Sequence, residues 1–118
     1  MRNMSNRPTS AFVDLDALAR NFQATKEFVG PDPQYLAVVK ANAYGHGAGE
    51  CSVRLESEGV DWFGVALPEE GAEIRSVGVT RPILCFGSFW SGQEDLVVDN
   101  NITPVICDSD AAAAFDRV

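Results

Sequence analysis

Apolar residues along this chain fall into short runs separated by helix-length amphipathic stretches, and the boundaries carry Gly, Pro or a capping side chain. That alternation predicts a repeated strand-helix unit. After an extended piece at Ala11 to Leu15, Asp16 can cap a helix whose Leu18, Phe22 and Val29 share one face and which Gly30 and Pro31 end. The run from Tyr35 to Val39 reads as a strand, and its continuous apolar character predicts burial on both faces, the habit of parallel strands covered by helices. From Gly47 a second helix turns Ala48, Cys51, Ser52 and Leu55 inward until Gly59 stops it, and Trp62 to Ala66 forms the next strand. Pro68 opens a third helix, with Glu69 and Glu70 at its positive end and Gly78 and Pro82 marking its exit. Ile83 to Phe86 is a third strand, and Ser91 and Glu94 have the spacing of a capping box for a fourth helix. Pro104 to Cys107 supplies a fourth strand, and Ser109 is placed to cap the element after it.

Such repetition fits a doubly wound open sheet or a (β/α)8 barrel, and period alone does not choose between them. A complete barrel takes about 250 residues, so four units in 118 residues would make about half of one. A partial chain with an exposed sheet edge is expected. The 46% of apolar residues supports one packed unit over 11–118, with 1–10 as a flexible start.

Charge and cysteines narrow the function classes. Seventeen acidic residues against nine basic ones leave a formal charge of -8, which opposes attraction to phosphate backbones and argues against a nucleic-acid partner. No apolar run approaches the roughly 20 residues of a membrane span, and Met1 to Ser10 lacks the apolar stretch of a signal peptide, so the chain reads as soluble and cytoplasmic. Cys51, Cys85 and Cys107 are odd in number and free of Cys-x-x-Cys spacing, which points to reduced thiols and neither a disulfide framework nor a metal site.

Chemistry concentrates in the segment from Ala37 to Gly47, which leaves an apolar strand and enters a Gly-rich loop. Lys40 stands at the strand's end. An ammonium there is partly desolvated, which favours the neutral amine and suits a Schiff-base nucleophile, although a lysine whose stem leads its charge out to water is the plainer reading. Gly45, Gly47 and Gly49 lack the Lys-Ser/Thr ending of a phosphate-cradling Walker loop and read as turn and packing glycines. His46, the chain's single histidine, reads as a hydrogen-bonded support. The pairs Asp14/Asp16 and Glu69/Glu70 read as helix-capping groups.

The run Val39-Lys40-Ala41-Asn42-Ala43-Tyr44-Gly45-His46-Gly47 resembles the pyridoxal 5'-phosphate attachment signature of alanine racemases, which are fold-type III enzymes of that cofactor. Val13 to Leu18, Phe63 to Ala66, Pro82 to Leu84 and Thr103 to Val105 are similar to further blocks of the family in the same order. The resemblance covers nearly everything from Ala11 onward. It implies part of a (β/α)8 TIM barrel, with Lys40 as the Schiff-base lysine and the base on one face of the amino acid. It implies Tyr44 as a hydrogen-bond donor to the cofactor phosphate. Interconversion of L- and D-alanine for peptidoglycan supply is the implied activity, in a homodimer whose opposite-face tyrosine, pyridine-binding arginine and C-terminal β domain lie beyond Val118. This piece alone is then expected to be inactive or feeble. A pyridoxal-phosphate barrel that is not an alanine racemase, concerned with cofactor homeostasis or broader amino-acid racemisation, and an inactive folded remnant are the alternatives.

Overall fold

The computed structural model describes residues 9–87 and 89–118. The flexible start expected at 1–10 lies, through residue 8, outside these. In chain order the elements are α1 (Leu15–Val29), β1 (Leu36–Val38), a short helical turn α2 (Lys40–Tyr44), α3 (Ala48–Ser57), β2 (Trp62–Val65), α4 (Pro68–Ser76), β3 (Ile83–Cys85), α5 (Glu94–Asp99), β4 (Ile102–Pro104) and α6 (Ser109–Phe115). The strands form one parallel sheet in the order β1-β2-β3-β4, with Val38 beside Gly64, Gly64 beside Leu84 and Leu84 beside Thr103.

A sequential order without reversal has a topological consequence. Right-handed crossovers between successive parallel strands then place every intervening helix on the same side of the sheet, whereas a doubly wound sheet needs a switch point. Burial agrees. Phe63, Val65, Ile83, Cys85 and Ile102 point from the strands into a core completed by Cys51 and Leu55 of α3, Ile74 of α4 and Val97 of α5. The alternate residues face the other way, and among them Leu36, Val38 and Phe86 are 38%, 37% and 43% exposed. The sheet is therefore the wall of a TIM-barrel-like fold, helices outside and an apolar face open on the inside. The expectation that the first strand is buried on both faces fails in this chain, because nothing among the described residues covers its inner side.

Helix packing follows from residue size and capping. All four residues expected to face inward from α3, Ala48, Cys51, Ser52 and Leu55, are buried. Pro68 opens α4 as the sequence indicates, and Gly71 lets that helix lie so close to the sheet that a Cβ there would sit 2.6 Å from Ile102 Cδ1. At the far end of α4, Arg75 donates to the carbonyls of Val79, Arg81, Asn100 and Asn101 at 2.7–3.0 Å, tying two loops together. Burial of that guanidinium pushes its pKa down.

Several boundaries differ from those expected. Asp14, not Asp16, caps α1, its carboxylate accepting from Ala17 N at 3.0 Å, because Asp16 is drawn to Arg54 of α3 at 2.7 Å. Val29 is 49% exposed and does not share the buried face of Leu18 and Phe22. Gln93 occupies the cap position of α5 in place of Ser91, and the carboxylate of Asp108, not the Ser109 hydroxyl, accepts from Ala111 N at 2.7 Å to cap α6. The fourth strand runs from Ile102 to Pro104, two residues ahead of the expected start at Pro104. Pairing with Ile83–Cys85 sets that register, and only Val105 N adds one further bond to Cys85 O.

Candidate functional site

The site grows from the turn that follows β1. Val39 is the last residue held by the sheet, its N–H donating to Gly64 O at 2.8 Å while its side chain is buried on the helix side. Lys40, next in the alternation after Leu36 and Val38, belongs to the open face at the strands' C-terminal ends. It is exposed, so the partial desolvation expected of its ammonium is not found in this chain. Among the described residues nothing roofs Lys40 on that side of the sheet.

Ala41, Asn42, Ala43 and Tyr44 then adopt φ of 51°, 55°, 52° and 55°, one turn of left-handed helix built from residues other than glycine. Each such residue costs about 1–2 kcal/mol against the right-handed form, and strain of this kind is concentrated at ligand clamps and active sites. A set of hydrogen bonds holds the turn. Ala43 N donates to Val39 O at 2.8 Å, Gly45 N to Ala41 O at 3.0 Å, His46 N to Ala43 O at 3.0 Å and Gly47 N to Asn42 O at 3.0 Å. The Asn42 side chain accepts from Ala48 N at 2.7 Å and so caps α3, for which Gly47 supplies no side-chain cap. Glu70 Oε1 accepts from Ala41 N at 2.7 Å across the gap between β1 and the start of α4.

His46 donates through Nδ1 to Ala43 O at 2.9 Å, the supporting role its setting suggested. Cys51 lies beneath it, Sγ to His46 O 3.7 Å, and burial, with a smaller contribution from Glu50, pushes that thiol up, so it stays neutral and packs. Tyr44 is 60% exposed on the same turn as Lys40. Neither the Lys40 ammonium nor the Tyr44 hydroxyl has a hydrogen-bond or ion-pair partner among the described residues. The other lysine of the chain, Lys26, instead sits 5.4 Å from the Phe22 ring centroid on α1.

One turn at the C-terminal rim of a parallel sheet thus presents an uncommitted primary amine and an uncommitted phenol. The donor set fits pyridoxal phosphate: the amine can condense with an aldehyde and the phenol can donate to a phosphate oxygen. Two contributors escaped the sequence reading. Asn42 could have been suspected from its tolerance of left-handed backbone and its short capping side chain. Glu70 was legible as a helix-start carboxylate, but its bond to a residue 29 positions away was not.

Residues 13–118 match the family model for the alanine racemase N-terminal domain. The chain belongs to the alanine racemase family. It is 42% identical over 114 residues to the alanine racemase of Geobacter sp. strain M21, covering 97% of this chain and 30% of that protein. To the alanine racemase of Xylella fastidiosa strain 9a5c it is 44% identical over 113 residues, 92% of this chain and 30% of the relative. The solved alanine racemase of Clostridium difficile 630 in complex with cycloserine superposes with a TM-score of 0.90 at 35% identity, over 96% of this chain and 31% of that one. The chain therefore spans about 30% of the length of the alanine racemases it matches. The family is generally dependent on pyridoxal phosphate, and the barrel wall described above is the part of its fold that this chain builds. Among the described residues no helix is long and apolar enough to cross a membrane.

Proposed function

We propose that residues 11–118 form the first part of the cofactor-binding barrel of an alanine racemase, in which Lys40 holds pyridoxal 5'-phosphate and Tyr44 contacts its phosphate. The observation that carries this reading is the placement, on one strained turn at the strands' C-terminal rim, where barrels of this kind build their sites, of a lysine and a tyrosine that have no partner among the described residues. When bound, the cofactor would withdraw electron density from the substrate's Cα and make its proton removable. The chain's own residues have three tasks. Lys40 Nζ removes or delivers the proton on one face of Cα, the opposite face being served by another group, Tyr44 anchors the phosphate through its hydroxyl, and the turn around Asn42 and His46 keeps both side chains on one rim. Proton transfer by a positioned group contributes roughly 10²–10⁴-fold, so position on the rim matters more than the strength of the amine as a base. Cycloserine in the Clostridium difficile relative agrees with a small amino-acid-like substrate. We take that substrate to be alanine and the working form to be a cytoplasmic homodimer supplying D-alanine to the cell wall.

The test is reductive trapping. Full-length protein is incubated with pyridoxal phosphate, reduced with borohydride and digested, and the peptides are mapped by mass. A single modified peptide containing Lys40, absent in Lys40→Ala, is expected. Modification at Lys26, or at both lysines equally, would overturn the assignment.

A further inference from the structure

We propose that Glu70 is a positioning residue for the cofactor turn, holding the peptide plane that follows Lys40 from the first turn of α4. The inference rests on the reading of Lys40 as the cofactor lysine. The Glu70 carboxylate accepts three backbone N–H groups: Oε2 takes Ala66 N at 2.8 Å and Leu67 N at 3.1 Å, and Oε1 takes Ala41 N at 2.7 Å. The first two close the cap of α4. The third does nothing for that helix.

Its effect falls on Lys40. The Ala41 N–H and the Lys40 carbonyl lie in one rigid peptide unit, so fixing the direction of that N–H fixes the backbone rotation of Lys40 and with it the origin of the side chain. This is also the point where the backbone enters its left-handed stretch, with φ of 51° at Ala41. The internal bonds of the turn begin only at Ala43 N. A charged acceptor at 2.7 Å makes the strong kind of hydrogen bond, and it ties the turn after β1 to the junction of β2 and α4. A glutamate is the right length. It reaches its own helix start with one oxygen and the neighbouring turn with the other, whereas an aspartate can cap locally but falls a methylene short of the second partner, and a glutamine would turn an N–H₂ toward one of three N–H donors.

Glu70→Asp and Glu70→Gln in the full-length protein separate the two roles. Amide hydrogen exchange is followed alongside reductive trapping by pyridoxal phosphate and the pH titration of the bound cofactor's visible absorption. In Glu70→Asp the amides of α4 should keep their protection, while those of Ala41 to Tyr44 exchange at least about tenfold faster. The cofactor concentration for half-maximal trapping at Lys40 should rise about tenfold, with a displaced absorption titration, since small misplacements of a reacting group are costly. Glu70→Gln should behave alike in the turn. Unchanged protection at Ala41 and unchanged cofactor affinity in Glu70→Asp would overturn the proposal, as would loss of protection confined to 66–76. Should wild-type protein not be trapped at Lys40, the functional reading falls, and the exchange comparison still decides whether Glu70 holds the turn.

Discussion

At the scale of single residues, the candidate site shows how a side chain can stabilise an unfavourable backbone. Asn42 does two things at once. Its φ of 55° is one that Asn tolerates better than most residues, and its side-chain oxygen supplies the cap that Gly47 cannot give to α3. Substitution to Ala removes the cap, worth about 1 kcal/mol, and places a poorer left-handed residue, for a total of about 2 kcal/mol. Substitution to Gly restores the backbone freedom and loses only the cap, for about 1 kcal/mol. Urea unfolding of the two variants checks this ordering. Equal destabilisation by Ala and Gly would mean that the left-handed backbone costs nothing, and the account of the turn as strained would fail. His46 needs no such dual role. Its ring satisfies one carbonyl of the turn, and that supporting part was readable from an isolated histidine among glycines.

Among elements, the decisive interactions are those that the linear pattern could not assign. Apolar spacing placed the strands and the inward face of α3, and Pro68 the start of α4, because periodicity and Gly or Pro punctuation are local. It could not say which of two nearby acidic residues caps α1, since that depends on where Arg54 lies in space: Arg54 Nη1 donates to Asp16 Oδ1 at 2.7 Å and Arg54 Nε to Glu58 Oε1 at 3.0 Å, leaving Asp14 to cap. The left-handed turn was hidden for a similar reason, since two of its four residues are alanines with no preference for that backbone. The Arg54 cluster also makes the α1–α3 contact sensitive to acid. Gln23 donates to Glu58 Oε2 at 2.9 Å, and this bond first, then Arg54, holds the Glu58 carboxyl below its ordinary range. The unfolded chain then binds protons at a higher pH than the folded one, so the contribution is fully present above the unfolded value of about 4.3 and is lost as pH falls through the folded value. Wild-type protein is accordingly expected to exceed Glu58→Gln in denaturant midpoint at neutral pH, with the gap closing progressively below about pH 4. A gap that persists unchanged in acid would show that the amide is disfavoured for its shape and not for its charge.

Across the whole molecule, the same openness that exposes Lys40 leaves apolar surface without a cover. Leu36, Val38 and Phe86 lie on the inner face of the sheet with more than a third of their surface exposed, and β1 and β4 each have an edge without a partner strand among the described residues. Free edges and apolar patches both promote pairing with another chain, while a formal charge of -8 opposes it. Ionic strength decides the balance. Repulsion between charges reaches about 10 Å at 0.1 M salt and about 3 Å at 1 M, while burial of apolar side chains is not screened. Residues 1–118 alone are therefore expected to associate more strongly as salt is raised, followed by sedimentation velocity over a range of concentrations, and Val38→Lys is expected to weaken the association because it puts a charge on the open face. A chain that stays monomeric at every salt concentration, or that dissociates as salt increases, would mean that charged contacts and not the inner face of the sheet govern its surface.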